Sequence, residues 1–476
     1  MRKFIKSLCA GLTAGSVALT PLGLNWNGLR SGGHPMIEAT SGAAQAASAP
    51  RLIRDAEIEN TIRAWASPVL EAAGLNAADV DIYLINDSSI NAFVAGGQAV
   101  YINSGLLNAA SSANEVQGVI AHELGHVTGG HAVLNLGGKE ATGISIVSLL
   151  LAAAAAAAGG GEAALGVLMA GQQAAMGKYL AFSRVQEATA DAAGAEYLSK
   201  AGITGKGSVE FFKKLENLEY RYGYVPRDGD EYFRTHPMTG ERIATLQDTY
   251  ERDPAWTRPS DPGIEARFVR AKAKLFGFLA RPEDTLRLYP EHMTGVPARY
   301  ARAYAFHKEA RIDKALAEAD ALLATAPDDP YFLELKGQIL LESGKPKEAL
   351  APLRRATDLT GNQPLIATLF GHALIATEDG GNFAEAERVL KAAVARDRFN
   401  PFAWYQLGVI YAAKGDMPRA RLASAEQQVL NGRMGEALNS ASAAEVGLPQ
   451  GSPDWLRAQD IAMQAKAEID RGKKRK

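Results

Sequence analysis

The stretch VIAHELGHVTGGHA, residues 119–132, places three of the chain's eight histidines and one glutamate within ten positions. Apolar residues precede the first histidine and small residues follow the second, which is typical of a buried helix. Positions i and i+4 of a helix lie on one face, so His122 and His126 would present two imidazoles one turn apart. The stretch therefore predicts a buried helix that binds a metal ion.

Because Glu123 is next to the first of these histidines, its carboxylate would lie to one side of the pair and reach a water held on the metal. Imidazole nitrogens bind zinc at about 2 Å, and zinc lowers the pKa of bound water toward about 7. A carboxylate beside that water can take its proton. The HExxH pattern thus predicts hydrolysis by a metal-activated water. The alternative is a pair of surface histidines with a salt-bridging glutamate.

A catalytic zinc normally takes three protein ligands and leaves one position for water. The single cysteine, Cys9, lies in the N-terminal apolar run, so the third ligand must be His, Asp or Glu. His131 is the nearest candidate, but zincins with a close third histidine place it one position later. Downstream, Glu187 and Asp191 are four apart in the helical run SRVQEATADAAGAEYL. One could bind the metal and the other could orient a ligand histidine, unless both lie on a solvated helix face.

The N-terminus predicts export. MRKFIK is followed by the apolar run SLCAGLTAGSVALTPLGL, which is typical of a secretory signal, and we assign residues 1–46 to a signal peptide and tail. The alternative is an uncleaved membrane anchor. A formal net charge of −2 gives no global attraction to nucleic acid, and we expect no nucleic-acid partner.

The length of 476 residues predicts at least two domains. We assign residues 47–252 to the domain that holds the HExxH stretch, with two short strands in DVDIYLIND and INAFVAGGQAVYINSGLL. The Gly96–Gly97 pair interrupts the second strand and predicts a tight bend there. The proline-rich segment 253–264 is the expected linker. Within the first domain, neither apolar half of residues 141–184 reaches the length of about 20 residues that a bilayer requires. This insert predicts either lid-like helices over a cleft or a peripheral membrane contact.

A repeat follows the linker. Trp404, Leu407, Gly408 and Tyr411 have the W-x2-L-G-x2-Y spacing of the tetratricopeptide repeat. Small residues at the glycine position let two helices approach closely, and the large residues fill the space between units. The repeats predict an α-solenoid over residues 265–445, followed by a C-terminal helix and basic tail over residues 446–476. The alternative is an irregular helical bundle.

Three stretches together carry a resemblance to a known family. VIAHELGHVTGGHA, SRVQEATADAAGAEYL and THPMTGERI, with an N-terminal signal and C-terminal repeats, resemble the BepA-like periplasmic zinc metallopeptidases, the family of HtpX and the CAAX prenyl proteases. The resemblance implies a mainly α (α+β) chain. It would have a gluzincin-type metalloprotease domain with a small sheet, followed by the repeat solenoid.

The resemblance also implies roles for particular residues. One Zn²⁺ per subunit would be held by His122, His126 and Glu187, with Glu123 as the catalytic base. The remaining implied site residues assist the reaction or bind substrate: Asp191 as a catalytic second carboxylate, His236 as a fourth ligand or gate, Arg242 as transition-state support, and Asn91, Ala92, Phe93, Val94 and Ala95 as a substrate edge strand.

The implied function is a zinc-dependent endopeptidase of the periplasm, with membrane association as a further expectation. Its substrates would be protein or peptide segments of misassembled or unfolded envelope proteins. The repeats would dock it on the outer-membrane assembly machinery. The alternatives are a chaperone-like scaffold of outer-membrane assembly with a latent metal site, and a metal-dependent hydrolase that is not a protease.

Overall fold

The computed structural model describes residues 51–95, 98–131, 161–222, 236 and 240–474. The predicted signal segment, the Gly96–Gly97 pair and the first part of the 141–184 insert lie outside these ranges. Contacts divide the chain into two compact units. We call the one that contains Ile58–Leu275 the HExxH unit and the one that contains Phe276–Lys476 the repeat unit.

The sheet of the HExxH unit has four strands in the order β1-β2-β4-β3. The strands are β1 (Leu52–Ile53), β2 (Ile82–Ile85), β3 (Ala92–Ala95) and β4 (Ala99–Asn103). β2 and β4 are parallel, whereas β1 pairs antiparallel with β2 and β3 pairs antiparallel with β4. β3 lies at the edge of this sheet, with β4 as its strand neighbour in the described part of the chain.

The two faces of the sheet differ. Val100 and Ile102 are fully buried on one face. The half-buried rings of Tyr83, Tyr101 and Phe93 stack across β2, β4 and β3 on the other, with centroids 5.3 and 5.1 Å apart. The sequence predicted residues 90–107 as one strand interrupted by a tight bend at Gly96–Gly97. Ala95 pairs with Ala99, so the parts before and after that position are two separate strands and the chain reverses between them. Period-2 alternation continues across this reversal, which conceals the hairpin.

Helices make up the rest of the HExxH unit. They are α1 (Ala56–Ala72), α2 (Ser104–Ala109), α3 (Ala113–Thr128), α4 (Gly161–Ala201), α5 (Lys206–Tyr222), α6 (Gly240–Glu251), a 3-10 helix (Pro254–Thr257) and the first part of α7 (Pro262–Leu279). α4 is continuous for 41 residues, although the sequence suggested separate helical runs. Among the described residues no helix is long and apolar enough to cross a membrane.

Glycines bring α3 directly against its neighbours. A Cβ on Gly125 of α3 would lie 2.5 Å from the backbone oxygen of Ala190 in α4. Farther along the same crossing, a Cβ on Gly194 of α4 would lie 3.0 Å from the backbone of Ala121. The two backbones therefore touch, so Glu187 and Asp191 of α4 come within side-chain reach of the histidines of α3.

The repeat unit is a series of contacting helix pairs. After the end of α7, its helices are α8 (Pro282–Leu288), α9 (Val296–Lys308), α10 (Ile312–Thr325), α11 (Pro330–Glu342), α12 (Pro346–Leu359), α13 (Pro364–Ala376), α14 (Phe383–Arg396), α15 (Pro401–Ala413), α16 (Met417–Leu430), α17 (Met434–Gly447) and α18 (Pro453–Lys474). Gly337 packs against Leu353 and Gly371 against Leu390, so small residues let the two helices of a pair approach as the repeat pattern predicted.

The division between the units falls within α7, after Leu275, and not in the proline-rich segment 253–264 where the sequence placed it. The first part of α7 packs into the HExxH unit. Phe268 lies 5.8 Å from the ring of Trp65, and Lys272 donates to the backbone oxygen of Ala110 at 2.6 Å. Prolines mark the start of this helix but do not separate it from the unit before it.

Candidate metal centre

Four buried side chains converge in the HExxH unit. His122 and His126 come from α3, Glu187 comes from α4, and His236 comes from the chain before α6. Their ligand atoms all lie within 4.8 Å of one another, and this is the group that could hold a metal ion among the residues that the structure describes.

The spacing of the donors fits a tetrahedral ion. Nε2 of His122 and Nε2 of His126 are 3.1 Å apart, and each lies 3.4 Å from an oxygen of Glu187. Nδ1 of His236 lies 3.3 Å from Nε2 of His122 and 3.1 Å from Oε1 of Glu187. Donors at the zinc–nitrogen distance of about 2.0–2.1 Å form a tetrahedron with edges of about 3.3–3.4 Å. The side chains are therefore already spaced as ligands of one ion.

The carboxylate of Glu123 is the second feature that fits a metal-bound water. Its side chain is fully buried, and neither carboxylate oxygen has a hydrogen-bond partner in the described ranges. Nε2 of His236 lies 3.6 Å from Oε1 of Glu123, too far for a hydrogen bond. Because a buried carboxylate without hydrogen bonds is costly, this one requires a donor, and a water held beside the four ligands would supply it.

The electrostatics favour a bound cation. Burial opposes charge on Glu187, but hydrogen bonds from the three surrounding histidines outweigh it and hold the pKa of this carboxyl well below its usual range. Burial also disfavours charge on His126 and lowers its pKa, so its ring is neutral. For His122, contacts with Asp191 and Glu187 outweigh burial and raise the pKa to about 10. The carboxylates of this pocket therefore stabilise positive charge strongly, and a bound divalent ion would supply that charge.

Asp191 and Arg242 lie behind these ligands. Oδ1 of Asp191 is 2.8 Å from Nδ1 of His122, on the side of the ring away from Nε2. Arg242 donates to both oxygens of Asp191, through Nε at 2.7 Å and Nη2 at 2.9 Å. Its Nη1 is 3.1 Å from Oε2 of Glu187. Contacts with His122 and Arg242 outweigh burial and lower the pKa of Asp191, so this carboxylate is ionised and can hold the imidazole proton.

Comparison with known proteins identifies the domain that this site occupies. The profile of peptidase family M48 matches residues 53–250. These residues form a peptidase family M48 domain. A tetratricopeptide-repeat profile matches residues 376–428 in the repeat unit.

Two of the relatives align with most of this chain, and a third aligns with about a third of it. The beta-barrel assembly-enhancing protease of Escherichia coli (strain K12) is 26% identical, and the alignment covers 96% of this chain and 94% of that protein. The protein of the same name from Yersinia pestis is 25% identical over 86% of this chain and 84% of its own length. Metalloprotease LoiP of Escherichia coli (strain K12) is 30% identical over 36% of this chain and 62% of that protein.

The chain is therefore a metalloendopeptidase with tetratricopeptide repeats, and the resemblance and the fold class inferred from the sequence are confirmed. The M48 family implies a metal, and the four donors described above are the group in the M48 domain that could hold it. The identity of the ion and the role of each residue remain predictions.

The geometry of the M48 domain does not favour the role that the resemblance implied for Arg242. All three guanidinium nitrogens of this residue lie against Asp191 and Glu187. Such contacts orient carboxylates and leave little capacity for a developing oxyanion. Sequence spacing could not indicate this, because Arg242 lies on α6 and its partners lie on α4.

His131 is a residue whose role the sequence reasoning missed. Its Nδ1 lies 2.8 Å from Nδ1 of His126, on the opposite side of that ring from the four donors. His131 is therefore not a third ligand, and it contacts a ligand instead. The Gly129–Gly130 pair before it is the sequence signal that could have indicated this position.

The predicted substrate strand coincides with β3, next to the helix of the HExxH motif. Asn91 and Ala92 are buried, and Phe93, Val94 and Ala95 are half-buried. The backbone oxygen of Asn91 accepts from the amide of Asn103 at 2.9 Å, which fixes the start of the strand. Among the residues that the structure describes, no strand pairs with the side of β3 away from β4.

Proposed function

We propose that this chain is a zinc-dependent endopeptidase that acts on misassembled or unfolded proteins of the cell envelope. The observation that carries the proposal is the spacing of the four donors together with the unpartnered, buried carboxylate of Glu123. A donor set of imidazole and carboxylate suits zinc. When bound, the ion would acidify a water and polarise a peptide carbonyl.

Each residue then has one task. His122, His126 and Glu187 would hold the ion. Glu123 accepts a proton from the water and delivers it to the leaving amine. Asp191 keeps the proton of His122 on Nδ1, which leaves Nε2 as the donor.

His236 supports a latent resting state. A catalytic zinc site needs an open position, whereas four protein ligands close it. Because Nδ1 of His236 is as near to the other donors as they are to one another, we propose that it is the fourth ligand at rest. Hydrolysis then requires this side chain to leave the site.

The edge strand and the repeats suggest how substrates are selected. An extended segment can pair with β3 through backbone hydrogen bonds. Such pairing selects substrates by their extended conformation more than by their sequence. The name of the relatives, beta-barrel assembly-enhancing protease, supports substrates and partners in outer-membrane assembly, with the repeats as the docking surface. The signal predicted over residues 1–46 supports a periplasmic location. Peripheral membrane contact through residues 141–184 remains part of the proposal.

The test compares the chain of residues 47–476 with Glu123→Gln and, as a matched control, Glu196→Gln on the exposed side of α4. We expect one zinc per chain in all three proteins by metal analysis, and loss of casein cleavage in Glu123→Gln alone. A chelator should abolish cleavage and added zinc should restore it.

The closed donor set also supports the scaffold alternative. If Glu123→Gln retains zinc and fully replaces the wild-type chain in an envelope-assembly assay, the result supports the scaffold hypothesis, and the peptidase activity is not the function. If wild-type protein cleaves casein equally well after metal removal, the proposed chemistry is wrong.

A further inference from the structure

The turn after α3 folds the chain back onto a metal-ligand candidate. The amide of His131 donates to the carbonyl of His126 at 3.0 Å, and the amide of Gly130 donates to the carbonyl of Val127 at 3.1 Å. Gly130 has a φ of 64°. This pair of bonds and the left-handed glycine form a Schellman motif, in which the last residue lies over the residue five positions earlier. The motif places His131 over His126.

The two rings meet through their Nδ1 atoms, which are 2.8 Å apart. A neutral imidazole carries one proton, so one of the two nitrogens donates and the other accepts. Nε2 of His126 faces Nε2 of His122 and an oxygen of Glu187, and it must be unprotonated to bind an ion. The proton of His126 then lies on Nδ1 and is donated to Nδ1 of His131.

A third side chain continues this arrangement to α4. With Nδ1 as acceptor, His131 carries its proton on Nε2, which is 3.3 Å from Oγ1 of Thr189. That hydroxyl donates to a backbone carbonyl one turn earlier, at 3.0 Å from Val185 or 2.9 Å from Gln186. Its lone pairs are therefore free to accept from His131. The hydrogen bonds run from His126 to the helix that carries Glu187.

Gly129 leaves the space that the ring of His131 occupies. A Cβ on Gly129 would lie 2.5 Å from Nε2 of His131, so an alanine there would displace the ring. The neighbouring ligand, His122, has a carboxylate at the same place, with Asp191 at 2.8 Å from Nδ1. The two ligand histidines thus have different partners for the same task.

We propose that His131 is a positioning residue that fixes the tautomer and orientation of His126 for metal binding, with Thr189 fixing His131 in turn. The inference rests on the proposed metal site and adds a residue to it. Partners of this kind change metal affinity by about 10–100-fold when they are removed. His131 does not touch the ion or the substrate.

The test measures zinc dissociation constants by competition with a chromogenic chelator. We expect His131→Ala to bind zinc about 10–100-fold more weakly than wild type. His131→Asn should recover most of that loss, because the asparagine oxygen can accept at the place of Nδ1. Thr189→Val should weaken binding by a smaller factor. His292→Ala, which removes an exposed histidine of the repeat unit, should leave the constant unchanged.

Thermal unfolding of the metal-free proteins separates positioning from packing. The proposal expects metal-free His131→Ala and His131→Asn to unfold at the wild-type temperature, since the turn is held by backbone bonds and Gly130. Equal zinc affinity in His131→Ala and wild type would overturn it. So would an affinity loss in His131→Ala that His131→Asn does not reduce. If wild type itself binds no zinc, the metal site fails first and this inference fails with it.

Discussion

Substituting Gly125 by alanine tests whether backbone contact between α3 and α4 builds the metal centre. The new Cβ would lie 2.5 Å from the backbone oxygen of Ala190 and 2.8 Å from its Cα. Ordinary carbon–oxygen contacts begin near 3.4 Å, so the helices must separate by roughly 0.9 Å to accept the methyl group. No rotamer change relieves this clash, because both contacted atoms belong to the backbone.

The expected effect on stability is a difference of two terms. Overpacking costs about 1–3 kcal/mol, and a rigid backbone contact belongs at the upper end of that range. Glycine to alanine in a helix gains about 1 kcal/mol. We therefore expect the opening free energy of the α3–α4 contact to fall by about 2 kcal/mol, measured by amide hydrogen exchange of peptides from both helices.

The same separation would act on the site. The donors of α3 and Glu187 of α4 are 3.4 Å apart, and a shift of roughly 0.9 Å makes that edge too long for a tetrahedron with bonds of about 2 Å. Zinc affinity should fall at least tenfold in Gly125→Ala.

The control is Gly408→Ala in α15, where the nearest atom to a new Cβ is 3.5 Å away and no loss is expected. If Gly125→Ala keeps wild-type exchange protection and zinc affinity, the close crossing does not position the ligands.

Two further predictions follow from contacts of the same site. Arg242→Lys replaces three nitrogen contacts at 2.7, 2.9 and 3.1 Å by one ammonium, so zinc affinity should fall about tenfold, given about 1.5–3 kcal/mol for each charged hydrogen bond and partial replacement by lysine. Arg252→Lys, in an exposed pair with Asp248, is the control, and equal affinities would refute the orienting role. His236→Ala should raise the rate of casein cleavage and weaken zinc binding, because it removes the fourth donor. A slower rate with zinc retained would mean that this histidine takes part in the reaction itself.

The parts of the site that depend on local periodicity could be predicted from the sequence. His122, Glu123 and His126 occupy one helix, so their arrangement follows from helical geometry alone. Glu187 and Asp191 are likewise one turn apart on α4, and the sequence left open which of them would face the ion. The tertiary crossing decides this, because Glu187 faces the Nε2 atoms of both histidines whereas Asp191 faces Nδ1 of one.

The parts that depend on how the chain turns could not be predicted in the same way. β1 has two residues and is too short to leave a pattern. The hairpin of β3 and β4 was predicted as one strand interrupted by a bend at Gly96–Gly97, because residues on both sides of the reversal alternate in the same phase. His131 was compared with the ligand spacing of other zincins. That spacing identifies metal ligands only, so it could not predict a residue that the helix C-cap folds back onto a ligand.

The three ligands of the metal centre each have one supporting contact. This arrangement explains why few contacts of the site could be predicted from the sequence. Each of the three ligand side chains would hold the ion through one atom, and a second polar atom of the same side chain contacts a supporting residue. Nδ1 of His122 faces Asp191, Nδ1 of His126 faces His131, and Oε2 of Glu187 faces Arg242. The ligands come from a short-range motif, whereas these supporting contacts come from other helices or from a turn. A substitution behind a ligand should therefore weaken zinc binding without removing a donor, whereas Glu123→Gln should leave zinc binding intact and stop hydrolysis.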